Sequence, residues 1–326
     1  MSKPSFVVDI AENAGSNLDA HTPLALTSEE GCHHHGNGLR MPLGIYNVSI
    51  ARVCSKVLRL CHRLETYFDV GHTLRSLEGA GDLLEEVIDY VELALYAAAE
   101  HVDDIDSIAS GFFKSKTLRD KNPAYKQLDK SIKSHKRFVA AAANAIKHQQ
   151  SRIRPYTLEY LHGTEYSCFH GYFFEGVAQG TVGPNNIFHL NQEIFSITTL
   201  IWEILVFVLQ CSRELSTFVN VTSKQIIGPP REQKTSLAET VIAAARLPLY
   251  TFGEEHPFSR VALHIAASDG KIDSLNSALY GSIGNQWSQN AQAQFGQFIL
   301  RFSGDGVSKT FRLANPGKVV LQNWAH

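Results

Sequence analysis

Residues 82–106, DLLEEVIDYVELALYAAAEHVDDID, carry the clearest fold signal in the chain. Apolar side chains recur there at alternating steps of three and four, namely Leu84, Val87, Val91, Leu95, Ala98, Val102 and Ile105. This spacing is that of one face of an α-helix. Asp82, followed by Glu85 three residues later, is typical of a capping box at a helix start. The pattern therefore predicts a long amphipathic helix that buries one stripe.

Similar patterns predict a helix on each side of this one. The helix before it spans residues 45–68, with apolar positions at Ile50, Val53, Val57, Leu60 and Leu64. The helix after it follows Asn122 and Pro123, and one seam carries Tyr125, Leu128, Ile132, His135, Val139, Ala142, Ile146 and Ile153. Residues 78–106 contain ten acids and no Lys or Arg, whereas the third helix is basic. We expect the second and third predicted helices to form an antiparallel pair.

The rest of the chain changes character. Alternating aromatic residues and several glycines predict a β-hairpin or three short strands within residues 164–189. Residues 192–218 are apolar on nearly all faces, which indicates a buried helix. Beyond residue 236 the sequence predicts short strands at 260–266, 297–302, 310–313 and 319–321, with a helix near 272–280.

These patterns predict an α+β fold with several parts. Residues 1–43 form an N-terminal extension that is loop or partly disordered, since they mix Pro, Gly, Ser and Asn without a period. Residues 44–219 form a mainly helical domain with the β-hairpin insertion. Residues 220–235 are a linker, and residues 236–326 are a small α+β domain opened by a capping box at Ser236 and Glu239.

Composition and motifs exclude several classes of protein. Five cysteines without framework spacing, and no signal-peptide pattern, favour a cytoplasmic location. The most apolar stretch, residues 194–209, is short and contains Glu203, so no membrane association is expected. Phosphate-binding and dinucleotide-binding glycine motifs are absent, and we predict no cofactor. Residues 31–36, GCHHHG, lack a second ligand pair at finger spacing, so no metal site is predicted.

The candidate functional residues lie in the basic segment 114–155. It contains twelve Lys and Arg residues against Asp120 and Asp129. Asn144, His148 and Arg152 are spaced to stack on one helix face. His148 can act as a general acid or base, Arg152 can hold a phosphate, and Asn144 and Lys147 can position it. The cations expected to contact a nucleic acid are Lys130, Lys133, Lys136, Arg137 and Arg154. An ordinary solvated helix has the same pattern.

Long paired helices followed by Asn144, Lys147 and His148 near the end of a basic helix resemble the HEPN superfamily of prokaryotic helical domains. Many of its members are RNA-cleaving toxins or phage-defence effectors, and they are typically dimeric. In that family an Arg precedes the His by a few residues, but residues 140–143 here are all Ala. The resemblance implies a homodimer, and the Arg is then either Arg152 or one that the partner subunit supplies.

Two functions remain open from the sequence. The first is an RNA-directed protein, and more specifically a metal-independent ribonuclease of a toxin or defence system, because no carboxylate cluster lies on the basic helix. The second is a non-catalytic scaffold or sensor subunit whose C-terminal domain binds a partner protein or a ligand. The missing Arg favours the second function, and the local positive charge favours the first.

Overall fold

A computed structural model describes residues 18–71, 81–148, 151–162, 165–178, 181–185, 187–188, 195–224, 226, 228, 235–247, 250–251, 263–265, 272–274 and 320–321. These residues form a mostly helical body with a small antiparallel sheet, so the fold is α+β.

The body is built around two long helices, α2 (Pro42–Gly71) and α3 (Gly81–Ser110). The sequence predicted both. They pack along each other, and the predicted stripe of α2 and that of α3 from Val87 onward are buried in one core. Arg52 of α2 pairs with Glu100 and Asp104, and Arg63 pairs with Glu86. The residue numbers of the acidic partners on α3 decrease as those of the arginines on α2 increase, so the two helices are antiparallel.

The predicted third helix is wrong as a single element, since the structure divides it. A short helix, α4 (Lys116–Lys121), precedes α5 (Pro123–His135) and α6 (Arg137–His148). Asn122 caps α5, because its side-chain oxygen accepts from the amides of Ala124 and Tyr125. Lys136, with ψ near −8°, separates α5 from α6.

The break at Lys136 follows from a change of packing partner. Helix α5 packs mainly on α7 (Ile197–Thr222), whereas α6 packs on α3. Phe138, at the start of α6, contacts Phe174 and Phe188 edge-on, with ring centroids 6.2 and 6.3 Å away. The main partner of the acidic helix α3 is therefore α2, and not the basic helix that the charge pattern suggested.

The sheet begins earlier than predicted. Strands β1 (Ile153–His162) and β2 (Glu165–Ala178) form an antiparallel hairpin in which Ile153 lies opposite Phe174. Strands β3 (Thr181–Pro184) and β4 (Phe195–Ser196) both pair with β2. Ile153, which the sequence placed on the third helix, is thus the first residue of a strand.

The central helix α7 is buried, as predicted, and extends to Thr222. By length and composition it could cross a membrane, but 56% of its most apolar window is buried within the protein. A core helix passes the same test, so the expected absence of membrane association stays a prediction.

The helix α8 (Leu237–Ala245) lies where the second domain was predicted to begin. Leu237 and Val241 join the same core as α2, and the Thr240 hydroxyl oxygen lies 3.4 Å from the Cys54 carbonyl oxygen. Ser236 is the N-cap residue, but its side chain accepts no capping bond. Strands β5 (Tyr250–Thr251) and β8 (Val320–Leu321) pair, as do β6 (Leu263–Ile265) and β7 (Ile272–Ser274).

Residues 272–274 are strand, which corrects the helix predicted to start there. The strand predicted within 260–266 contains β6, and that within 319–321 contains β8. The strands predicted at 297–302 and 310–313 lie outside the described residues. The division into two domains stays a prediction.

The described part of the predicted N-terminal extension is folded. Leu18 precedes α1 (His21–Ala25) and Leu24 lies within it, and both are buried in the helical core. The amide of Ala20 donates to the Ser212 hydroxyl of α7 at 3.0 Å, and Ser212 in turn bonds the Tyr46 hydroxyl at 2.7 Å. This hydrogen-bond chain ties α1 to α7 and α2.

Candidate nucleic-acid interface

The predicted ladder of Asn144, His148 and Arg152 is interrupted in the structure. Helix α6 ends at His148, and Arg152 lies after it, next to β1. Pro155 disfavours helical backbone at the residue before it, Arg154, so a helix is not expected to run through to Pro155. Only Asn144 and His148 therefore keep the predicted helical spacing, and the expected three-residue ladder is wrong.

The end of α6 is nevertheless an exposed polar surface. Asn144, Lys147, His148 and Arg152 are all exposed. The Lys147 ammonium lies over the Tyr96 ring of α3, 4.7 Å from its centroid. This cation–π contact fixes the last turn of α6 against α3.

Arg152 lies in the field of an acid on α3. Glu92 is half-buried, and burial together with the negative charge of Asp89 raises its pKa, while the nearby Arg152 lowers it. A cation that already compensates a carboxylate attracts a phosphate less strongly than a solvated one. This placement weakens the predicted role of Arg152 as the phosphate holder.

Arg154 does not fit its predicted role in nucleic-acid binding. It is buried in the first strand, and its guanidinium donates to the Glu175 carboxylate, which is also buried. The Ser151 hydroxyl donates to the Glu175 carbonyl nearby. The charge of Arg154 is thus neutralised inside the fold, and it serves the junction between α6 and the sheet.

Four exposed cations follow one another at steps of three or four residues, and we call them the α5–α6 stripe: Lys126, Lys130, Lys133 and Arg137. At 100° per residue, the three lysines of α5 lie within about 60° of one another around the helix and span about 10 Å. Leu128 is buried on the opposite side.

The ion pairs of the stripe differ from one lysine to the next. Lys133 pairs with Asp129 one turn before it at 2.6 Å. Lys126 and Lys130 have no ion-pair partner among the residues that the structure describes. Lys126 was in the predicted basic run but not among the predicted contacts, although its spacing of four from Lys130 was a usable signal.

Lys136 does not belong to the stripe. It lies at the bend between α5 and α6, is half-buried, and lines a cleft between α3 and α5. Of the five cations predicted to contact a nucleic acid, the structure therefore brings together Lys130, Lys133 and Arg137.

The surroundings of the histidine run are described from Gly31 to Gly36. No group of three or more His, Cys, Asp or Glu residues there is arranged to hold a metal ion. His34 is buried with its ring 4.0 Å from that of His35, and burial lowers its pKa. Asn37 instead holds the end of α3, donating to the carbonyls of Ser110 and Phe113.

Comparisons of the chain with models of protein families, with curated proteins and with solved structures find no match. The HEPN resemblance therefore stays a prediction from the residues that suggested it.

Proposed function

We propose that the protein binds single-stranded RNA along the α5–α6 stripe. The observation that carries the proposal is the alignment of Lys126, Lys130 and Lys133 on one exposed helix face, continued by Arg137. Successive cations are three or four residues apart, about 4.5 to 6 Å along the axis. A row of exposed cations at this spacing favours a flexible polyanion, because each contact releases condensed counterions.

The salt dependence of binding tests this proposal. Fluorescence anisotropy with a labelled single-stranded RNA should give a log–log slope of about −0.7 per phosphate contacted. Lys126→Gln with Lys130→Gln should flatten the slope by about 1.4 for the two contacts. The control is Arg40→Gln with Arg59→Gln, which removes two exposed cations elsewhere and should leave the slope unchanged. Equal changes of slope in the two double variants, or no RNA binding at low salt, would refute RNA binding by the stripe.

Cleavage of that RNA is the narrower form of the proposal. His148 would act as general acid or base at the exposed end of α6, with Asn144 and Lys147 positioning the phosphate. Arg152, or an Arg of a second subunit, would hold it. Incubation with total RNA in EDTA tests the chemistry: a metal-independent ribonuclease cleaves, and His148→Ala abolishes cleavage while RNA binding persists. Intact RNA with the unsubstituted protein would leave binding without catalysis.

The alternative is a non-catalytic scaffold or sensor in the cytoplasm. It is supported by the departure of Arg152 from the ladder and by the pairing of Arg154 with Glu175. In this alternative the C-terminal residues form the small α+β unit predicted from the sequence, which binds a partner protein or ligand. Salt-independent behaviour in the anisotropy experiment would favour it.

A homodimer is part of the RNA-directed proposal, since an isologous interface near Arg137 and Arg152 would bring two copies of α6 together. Mass photometry at increasing concentration, with and without RNA, should detect two-chain particles. A monomer under all conditions would remove the composite ribonuclease site and leave RNA binding by the single stripe intact.

A further inference from the structure

A cleft of about 320 Å³ lies between α3 and α5 and borders the stripe at Asp129, the partner of Lys133. Its floor is apolar and buried, formed by Val102, Ile105, Leu128 and Ile132. This volume falls at the small end of the range for small-molecule sites, about 300 to 1,000 Å³. An apolar floor with polar groups at the rim is the usual composition of such sites.

Two of the three carboxylates at the rim are already engaged. Asp106 accepts from the Tyr125 hydroxyl at 2.5 Å and pairs with Arg119 at 2.8 Å. Asp129 pairs with Lys133 at 2.6 Å. Neither group therefore needs a ligand to balance its charge.

The two remaining charged groups of the rim have opposite signs. Asp103 is exposed and Lys136 is half-buried, and both line the cleft. Neither forms an ion pair with any residue that the structure describes, so they are also not paired with each other. The Ser107 hydroxyl lies in the same lining. Two opposite charges that are not paired with each other, on residues that line one apolar cleft, complement a molecule that carries both charges.

We propose that the cleft binds a small zwitterion with an apolar side chain, an α-amino acid of the leucine or phenylalanine kind. Its ammonium would meet Asp103, its carboxylate would meet Lys136, and its side chain would cover the floor. This site is independent of the RNA-binding proposal and supplies a ligand class for a sensor.

Isothermal titration calorimetry of the full chain with L-leucine and L-phenylalanine tests the site. The matched ligands are leucinamide, which lacks the carboxylate, and 4-methylpentanoate, which lacks the ammonium. At least one amino acid should bind, and each truncated ligand should bind about tenfold more weakly or worse, because charge-assisted hydrogen bonds are lost.

Substitutions assign the two ends of the ligand. Asp103→Asn and Lys136→Gln should each weaken amino-acid binding by about tenfold or more. Asp103→Asn should also bind leucine no more tightly than 4-methylpentanoate. Lys136→Gln should bind leucine no more tightly than leucinamide. Asp89→Asn and Lys130→Gln change the same charges outside the cleft and should bind normally.

Circular dichroism establishes that each variant is folded before titration. Absence of binding by both amino acids at millimolar concentration overturns the proposal, as does equal weakening by the control substitutions. The RNA titration of the same Lys136→Gln protein separates the two sites: its salt slope should stay unchanged if the cleft and the stripe are distinct.

Discussion

Two helical regions use charge in opposite ways. At the contact between α2 and α3, arginines meet acids across the helix pair, as in the Arg52 pairs with Glu100 and Asp104. Along α5, Lys126 and Lys130 point to solvent without an ion-pair partner among the described residues. Basic residues therefore pair with acids within the fold in one region and remain available to a partner in the other.

The difference shows why a count of charges along the sequence is a poor guide to function. The acidic run of α3 looks like a binding surface, yet much of it is compensated by α2 and α4. Exposed cations without compensation are the ones whose electrostatic field extends into solvent. Four predictions test how far this contrast holds.

The largest effect is expected at the buried pair of Arg154 and Glu175, the extreme case of charge used for structure. Arg154→Met leaves a buried carboxylate without its partner and should lower the free energy of unfolding by about 3–5 kcal/mol. Urea denaturation followed by circular dichroism measures this. The double variant Arg154→Met with Glu175→Gln should recover part of the loss; no recovery would show that the pair does not act as a unit.

The second effect concerns His101, which is fully buried inside the α2–α3 contact. Its Nδ1 lies 2.7 Å from the Ser49 hydroxyl, its Nε2 has no hydrogen-bond partner among the residues that the structure describes, and its ring meets Phe207 edge-on. Burial, with a smaller contribution from Arg52, lowers the pKa of His101 to about 4.

Because the unfolded chain binds a proton near pH 6.5 and the folded chain does not, stability present above that pH should fall as the pH drops towards 4. The loss should be at most about 3 kcal/mol. Thermal or urea unfolding between pH 7 and pH 4 measures the slope. His101→Gln should reduce it, whereas His148→Gln, at an exposed position, should keep it. An identical slope in both variants would assign the acid sensitivity to other groups.

A smaller effect is expected for the α2–α3 ion pairs themselves. Arg52 is about one-third exposed, so solvent screens its pairs. Arg52→Met should cost about 1 kcal/mol of stability or less, because partly exposed pairs contribute little. Urea denaturation at low and high salt measures the electrostatic part, which should shrink as salt rises. A loss of stability as large as that of Arg154→Met would show that these partly exposed ion pairs contribute as much as the buried pair.

The smallest effect on stability belongs to the stripe. Lys126→Gln with Lys130→Gln should change the unfolding free energy by less than about 0.5 kcal/mol, because exposed substitutions away from packing contacts are nearly neutral. The same protein should lose affinity for RNA. Thermal unfolding and anisotropy on one preparation give both numbers, and a marked loss of stability would place these lysines in the structural class.

The long helices were predictable because a stripe with a period near 3.6 records a buried face directly. The bend at Lys136 was not, since the apolar seam runs through it from Ile132 to Val139 and only the change of partner from α7 to α3 breaks the helix. Ile153 continued the same seam by coincidence of spacing. Pro155 is a local signal that the chain is extended there.

The candidate site was predictable only in part, for a related reason. The exposure of Asn144, Lys147 and His148 follows from their position opposite the apolar face. The burial of Arg154 depends on Glu175, which lies twenty-one residues later on the paired strand. Sequence spacing does not indicate such a partner. The meeting of Asp103 with Lys136 around one cleft likewise needs the packing of α3 on α5.

The hydrogen-bond chain from Ala20 through Ser212 to Tyr46 has a consequence for biosynthesis. The first bond joins residues 192 positions apart, so α1 leaves the ribosome long before its binding surface on α7 exists. At about 5 to 20 residues per second, the delay is on the order of 10 to 40 s. During that interval Leu18 and Leu24 have no α7 surface on which to bury, and the nascent chain offers chaperones an early apolar segment.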